Sequence, residues 1–464
     1  MPGWLGLDIA LGALRANQLA LDVTSHNIAN AGTKGFHRQQ AVMKPGAAVS
    51  GAFAANGAGI AQLGTGVVVA GIQRAQTDYI DAQARTAAQW LGMWEARSDY
   101  LNQVESLLAE PTEAGLAAAL DKFWNAWEEL SATPEDVAAR INVVECGRAL
   151  TQRINTLNHD LTSLRSRIDR DVVDSVLQIN TIAHEIASLN KQISASSNTG
   201  NQPADLIDKR GVLLDELSAL AKVQISEIPG SEPIVSLGGH ALVQGGVVTE
   251  LETRVGPGGS AQVVWSDDDS PVRISGGKLA GQIDVRDQLI AGYLADLDSI
   301  ALTLADKVNA LHCTGVTRDG SPAREFFVVS AGAADIAVRA ELVANPSLVA
   351  TSATGRAGDN SLAAAIASLR DEPTIGGQTI GRAYAQLVTR IGAQSREAAT
   401  RREVQELVLQ QLDYQRQSVA GVSLDEEMVN ITKFQQAYNA AARVVSVIDS
   451  LLDTLINRTG VGGR

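Results

Sequence analysis

The chain has 464 residues, 38 Lys and Arg against 52 Asp and Glu, and a formal net charge of −14. That length holds two to four domains at ~100–200 residues each, and the acidic balance argues against nucleic acid, whose phosphates demand clustered Lys and Arg. Hydrophobic residues at 45% and charged residues at 19% exclude a disordered chain, and no run of ~18 apolar residues is present for membrane insertion. Aromatics are only 4%, while Ala and Gly are abundant, a composition suited to close helix packing and poor in anchors for ligand pockets.

At the N-terminus, Met1-Pro2-Gly3-Trp4-Leu5-Gly6-Leu7-Asp8 has no basic region and puts Asp8 where a signal peptide is apolar. A cleaved signal peptide is therefore not expected. Leu7, Leu14, Leu21 and Ile28 recur every seven residues, with Leu11 between the first two, which is coiled-coil spacing. Ile9, Leu19 and Val23 lie off that seam. The helix is expected to stop near Asn30, because Gly32 and Gly35 bracket a turn-prone stretch. Gly64-Thr65-Gly66 reads as a tight turn before the Val67-Val68-Val69 strand.

Residues of about 70–200 read as helical almost throughout. One helix runs from Tyr79 to Leu108, and a second carries Leu116, Phe123, Trp124 and Trp127. A third starts near Pro134 and keeps its 3–4 apolar period from Ile154 to Ile193, so it is either one long rod or contains a hidden break. Ala204–Leu220 makes another helix. From Val223 the texture changes to short Val/Ile/Thr runs divided by glycines, which predicts a small antiparallel β domain over 223–283. Helical pattern returns at Gln282, residues 315–360 read as mixed loop, and Gly381–Val419 is helical.

The C-terminus is the most regular part. Ile431, Phe434, Tyr438, Ala441, Val445, Ile448, Leu452 and Leu455 alternate steps of three and four. Ser423 before Leu424-Asp425-Glu426 fits an N-cap with a capping-box Glu. Met428, Val444 and Val447 lie off this seam. Two amphipathic helices at opposite ends of one chain pair with each other in the plain reading. Their off-seam apolar residues predict further packing against copies of the same chain, and head-to-tail contacts of that kind build an open polymer.

Candidate chemistry is sparse. Cys146 and Cys313 are far apart and provide neither a disulfide framework nor a zinc motif. His184-Glu185 lacks the second His of a zincin, Gly276-Gly277-Lys278 lacks the upstream Gly of a P-loop, and there is no GxSxG. Asp267-Asp268-Asp269 reads as a solvated turn, since EF-hand spacing is absent. No catalytic residue, metal ligand or cofactor is expected.

The stretch Ser25-His26-Asn27-Ile28-Ala29-Asn30-Ala31-Gly32-Thr33-Lys34-Gly35-Phe36 resembles the N-terminal signature of the bacterial flagellar rod, hook and hook-associated axial proteins. Glu426-Glu427 and Lys433-Phe434-Gln435-Gln436-Ala437-Tyr438, with Leu451-Leu452-Asp453-Thr454-Leu455-Ile456-Asn457 beyond, are similar to the hook-associated members of that family. Ala204-Asp205-Leu206-Ile207-Asp208-Lys209-Arg210 and Asn309-Ala310-Leu311-His312 with Glu325-Phe326-Phe327 agree. Phe326-Phe327 leads within some fifteen residues to Glu341-Leu342-Val343, so an outer domain of longer relatives is expected to be missing.

The resemblance implies a mainly α fold with an inserted antiparallel β domain, elongated and nested. Residues 1–35 with 424–464 would form a terminal coiled-coil core, 36–222 with 284–423 a helical domain, and 223–283 an outer β domain. It implies a structural subunit, not an enzyme, exported through the flagellar type III apparatus to the hook–filament junction. The implied partners are copies of itself, the hook protein, the filament-side junction protein, and a cytoplasmic export chaperone on the C-terminal helix. Self-assembly would fall to Leu7, Leu11, Leu14, Leu21, Asn27, Ile28 and Asn30, and to Leu424, Ile431, Phe434, Tyr438, Ala441, Val445, Ile448, Leu452 and Leu455. A hook or rod protein, or an enzyme or adhesin on an axial scaffold, remains an alternative at this stage.

Overall fold

The structure, a computed structural model, describes residues 2–51, 61–197, 203–226, 232–256 and 258–454. It opens with helix α1 (Pro2–Asn30), which ends near the expected residue. Strand β1 (Gln39–Pro45) follows, then β2 (Val49–Gly51), β3 (Ala61–Leu63) and β4 (Val67–Arg74). β1 pairs antiparallel with β4, and β2 with β3, and the β1–β4 pair packs along α1 as a long hairpin. The helical domain expected over 36–222 thus opens with strands, of which only Val67-Val68-Val69 was expected. The hairpin has no short turn to announce it, because some twenty residues separate its main strands.

Helices α2 (Asp78–Leu108), α3 (Leu116–Ala132) and α4 (Val137–Ser197) come next. α4 is unbroken over 61 residues, roughly 90 Å at 1.5 Å per residue. Helix α5 (Ala204–Leu220) leads into β5 (Val223–Ser226), β6 (Ile234–Leu237), β7 (His240–Gln244) and β8 (Val247–Val248), an antiparallel meander in that order. Gly238 and Gly239 turn the chain from β6 to β7 with φ of +60° and +95°, the pair of positive values that a two-residue type I′ turn needs. β9 (Leu251–Val255) and β10 (Ala261–Trp265) form a separate hairpin.

Helix α6 (Lys278–Asp284) starts inside the segment assigned to β structure, so helix resumes at Lys278 and not at Gln282. One π turn at Val285–Leu289 joins it to α7 (Ile290–His312). Small elements β11 (Phe327–Val328), β12 (Ala337–Val338) and α8 (Ala340–Ala344) interrupt the stretch read as loop. Then come α9 (Ser361–Ser368), α10 (Ile380–Ala420) and α11 (Leu424–Asp453).

Two hydrophobic cores hold this together. The first gathers α2, α3, α7, α9, α10 and α4 as far as Ile168 around Phe123, Trp127, Phe326 and Phe327. The second begins on α4 at Val172 and adds α5, the meander, the β9–β10 hairpin and Leu279. α4 is the longest strut common to both, and the α6–α7 run also enters both, with Leu279 in the second core and Val285 onward in the first. Its buried stripe, Leu157, Leu161, Leu164, Ile168, Val172, Val176, Ile179, steps by three and four across the boundary without a break.

Candidate assembly surface

α1 and α11 lie against each other and run antiparallel. Asn27 meets Glu427 at one end, and Gly6 lies against Ile448 near the other. Ser423 caps α11 by accepting from the Glu426 N–H at 3.5 Å. On α11, Ala441 is buried and Ile431, Phe434, Tyr438, Val445, Ile448 and Leu452 are half-buried, while the residues between them are mostly exposed. Leu455 lies outside the described residues. Leu424 is 54% exposed and stands off the seam.

On α1 the buried stripe is not the leucine seam. The most buried positions are Ala10, Ala16, Ala20, Val23, Thr24 and Asn27. Leu7, Leu14, Leu21 and Ile28 are half-buried, and Leu11 is exposed. The reason is the β1–β4 hairpin. α1 packs on both the hairpin and α11, and small side chains let two neighbours approach at once.

The end of the pair near residue 27 is locked by polar groups. The Asn27 amide donates to Gln39 O at 2.8 Å and accepts from the Gln39 N–H at 3.0 Å, as a neighbouring strand would. It also donates to Glu427 Oε2 at 3.2 Å. Glu427, 1% exposed, is paired by Arg38 at 2.7 Å, and Arg38 reaches Glu426 at 3.0 Å. The Arg38 N–H donates to Ala420 O, tying the end of α10 to β1. Asn30 has a different task. It donates to His26 O at 3.0 Å and closes the last turn of α1.

Beside this lock sits a buried ionic joint that joins the terminal elements to the body. Asp208 of α5 accepts from the His37 N–H at 2.9 Å and pairs with Arg74 at 2.6 Å. Burial works to raise the Asp208 carboxyl, but hydrogen bonds from His37 and Arg74 outweigh it and hold it below the usual range. His37 continues to Thr77 at 3.0 Å, and Thr77 donates to Asp81 at 2.9 Å. Arg416 of α10 pairs with Asp81 at 2.7 Å and with Asp215 at 2.9 Å. His37, Arg38, Asp208, Arg416 and Glu427 thus matter to the site; sequence reading passed over His37, Arg38 and Arg416, and noted Asp208 and Glu427 only inside family-like stretches. Pairs such as Arg74 with Asp208 lie 134 positions apart. The available signal was the run of carboxylates Asp205, Asp208 and Asp215 along one side of α5.

The outward faces of the two long C-terminal helices remain apolar. Val444, Val447 and Leu451 on α11 are 48–57% exposed, and Met428 and Val429 are more so. On α10, Val404, Leu407, Val408 and Tyr414 face solvent. Of the off-seam residues singled out earlier, Met428, Val444 and Val447 are exposed, Ile9 and Leu19 are half-buried, and Val23 is buried.

Three family models match in chain order. They are a flagella basal body rod protein model over residues 7–37, a flagellar hook-associated protein FlgK helical domain over 101–327, and a flagellar basal body rod FlgEFG protein C-terminal model over 415–458. Flagellar hook-associated protein 1 of Bacillus subtilis is 32% identical, with 99% of each chain covered. The chain belongs to the flagellar hook-associated protein 1 family. The Salmonella typhimurium member is 26% identical over 97% of this chain and 98% of its own. Those alignments run over 508 and 552 positions, more than this chain contains, so the relatives carry residues with no counterpart here. The solved flagellar hook junction protein FlgK of Burkholderia pseudomallei shares the fold, with a TM-score of 0.65 and 17% identity over 73% of this chain and all of that one. Flagellar hook-associated protein 1 is a structural axial component of the bacterial flagellum, which works by polymerising and contacting other flagellar parts.

Proposed function

We propose that this chain is the subunit of the junction between hook and filament, and that it polymerises through its terminal helices. One observation carries the reading. The α1–α11 pair buries one stripe of each helix and leaves Val444, Val447, Leu451, Met428 and Val429 of α11 facing outward. An apolar face of that kind is stable in water only when covered. Residues 1–35 with 424–464 serve as the inner core. The helical body, with the β1–β4 hairpin against the inner core, makes lateral contacts, and the β unit faces outward. Leu7, Leu14, Leu21, Ile28, Ile431, Phe434, Tyr438, Ala441, Val445, Ile448, Leu452 and Leu455 shape the pair, and Leu11 and Leu424 supply outward contacts. Asn27 and Asn30 fix the register and the end of α1. The hook protein lies on one side and the filament-side junction protein on the other. Export runs through the flagellar type III channel, with a cytoplasmic chaperone covering the apolar face of α11 before assembly.

The test is a pair of charge insertions, Val445→Asp and Leu452→Asp. Each puts a carboxylate into the seam, where burial without a partner is costly. Filament attachment and swimming are expected to be lost in a strain carrying either variant. The circular dichroism of the body should be retained. Normal motility in both variants would overturn the reading.

A further inference from the structure

A second cluster lies in the β unit, where the β6–β7 turn meets the turn after β10. His240 opens β7 directly after the Gly238-Gly239 turn. Its imidazole stacks on Trp265, with ring centroids 4.3 Å apart and planes 31° apart. Trp265 is 3% exposed, so the ring rests on a fixed floor. Asp267 and Asp268 stand in the turn after β10, which is closed by the Trp265 N–H donating to Ser270 O. His240 Nε2 is 3.4 Å from Asp267 Oδ2, beyond a good hydrogen bond. One ligand atom from each of His240, Asp267 and Asp268 lies within 4.8 Å of the other two. The third aspartate of the run, Asp269, is turned away and pairs with Arg254 at 2.5 Å.

We propose that His240, Asp267 and Asp268 form a binding site for one divalent transition-metal cation, of the Zn2+ class. One imidazole nitrogen and two carboxylates are a borderline-soft donor set that suits Zn2+ and leaves a position for water. Two carboxylates held together on an exposed turn repel each other, and a dication removes that repulsion. The imidazole is the informative ligand. Ca2+ and Mg2+ select oxygen donors and would draw nothing from it. The ion would clip the four-stranded meander to the β9–β10 hairpin, two sheets that share no ladder hydrogen bond. The pattern was hidden in the sequence because His240 lies far from the aspartates, and only the hairpin turns bring them together.

The test is calorimetric titration of the full-length chain with Zn2+ alone, followed by Mg2+ alone. One Zn2+ per chain is expected, with His240→Ala and Asp267→Asn each weakening binding at least tenfold. Asp268→Asn should weaken it at least threefold. His184→Ala removes an exposed imidazole paired with Glu250 at 2.7 Å and should change nothing. Circular dichroism of each variant should match the parent, since Asp267 and Asp268 are exposed in a turn and His240 stands at the partly exposed start of β7. Zn2+ should raise the melting temperature of the parent and leave that of His240→Ala unmoved. Unchanged affinity in His240→Ala, the absence of saturable binding below millimolar Zn2+, or Mg2+ binding as tight as Zn2+ would each overturn the site.

Discussion

At the scale of single residues, two buried polar groups make contrasting demands. His312 is fully buried, and burial pushes its imidazole down to about 4. Its Nε2 accepts from the Ala350 N–H at 3.1 Å, so the proton sits on Nδ1, which donates to Arg324 O. Trp127 and Phe326 pack edge-on against the ring and leave no room for water. In the unfolded chain the same ring protonates near 6.5, so the unfolded state takes up a proton first as pH falls. Stability should therefore decline from pH 6.5 and level off below about pH 4. The total loss is about 3 kcal/mol, at roughly 1.4 kcal/mol per pH unit. Urea midpoints between pH 7 and pH 4 measure this, and His312→Asn, which does not titrate, should flatten the slope. Asp208 makes the opposite demand, for charge. Asp208→Asn leaves Arg74 buried beside His37 without its carboxylate, a change costing about 3–5 kcal/mol. The loss should appear as faster amide exchange at residues 37–40 and 74–77, with α4 unaffected.

At the scale of elements, α4 governs how the two cores communicate. It contributes Ile168 to one and Val172 to the other, a single turn apart. Arg170 is exposed between them. Arg170→Pro removes one helix hydrogen bond and costs about 3 kcal/mol or more, and it should split one calorimetric melting transition into two. A single sharp transition in the variant would mean that other contacts couple the cores. This strut was legible in the sequence because its apolar period runs from Ile154 to Ile193 without interruption, and so were the bounds of α5 and the cap of α11. The β1–β4 hairpin was not. Gln39–Pro45 alternates weakly, and its partner Val67–Arg74 lies some twenty residues further along the sequence. The start of α6 was hidden for a related reason, since Gly276-Gly277 reads as one more β turn when it stands directly before Lys278. At the candidate site, the α11 seam followed from its spacing. The α1 stripe did not, because the missing hairpin was its second partner.

At the scale of the whole molecule, stability is unevenly spread. The helical and β cores bury large side chains. The terminal pair buries mainly alanines on α1, and Ala441 is the one buried apolar residue among those described on α11. Hydrogen exchange on the monomer should therefore show amides 2–30 and 424–453 exchanging at least tenfold faster than those of 143–190. Equal protection would mean that the pair is self-sufficient. The antiparallel pairing of the two ends also sets a clock. Asn27 and Glu427 stand 400 positions apart, so α1, although it meets β1 and β4 early, lacks its helical partner until nearly all of the chain has been delivered. A chain still being synthesised, or still threading through a channel, carries one half of its adhesive pair. Truncated products lack the other half for good. On the proposed reading, adhesion is thereby deferred to completion, and a growing polymer would receive whole subunits without a separate inspection step.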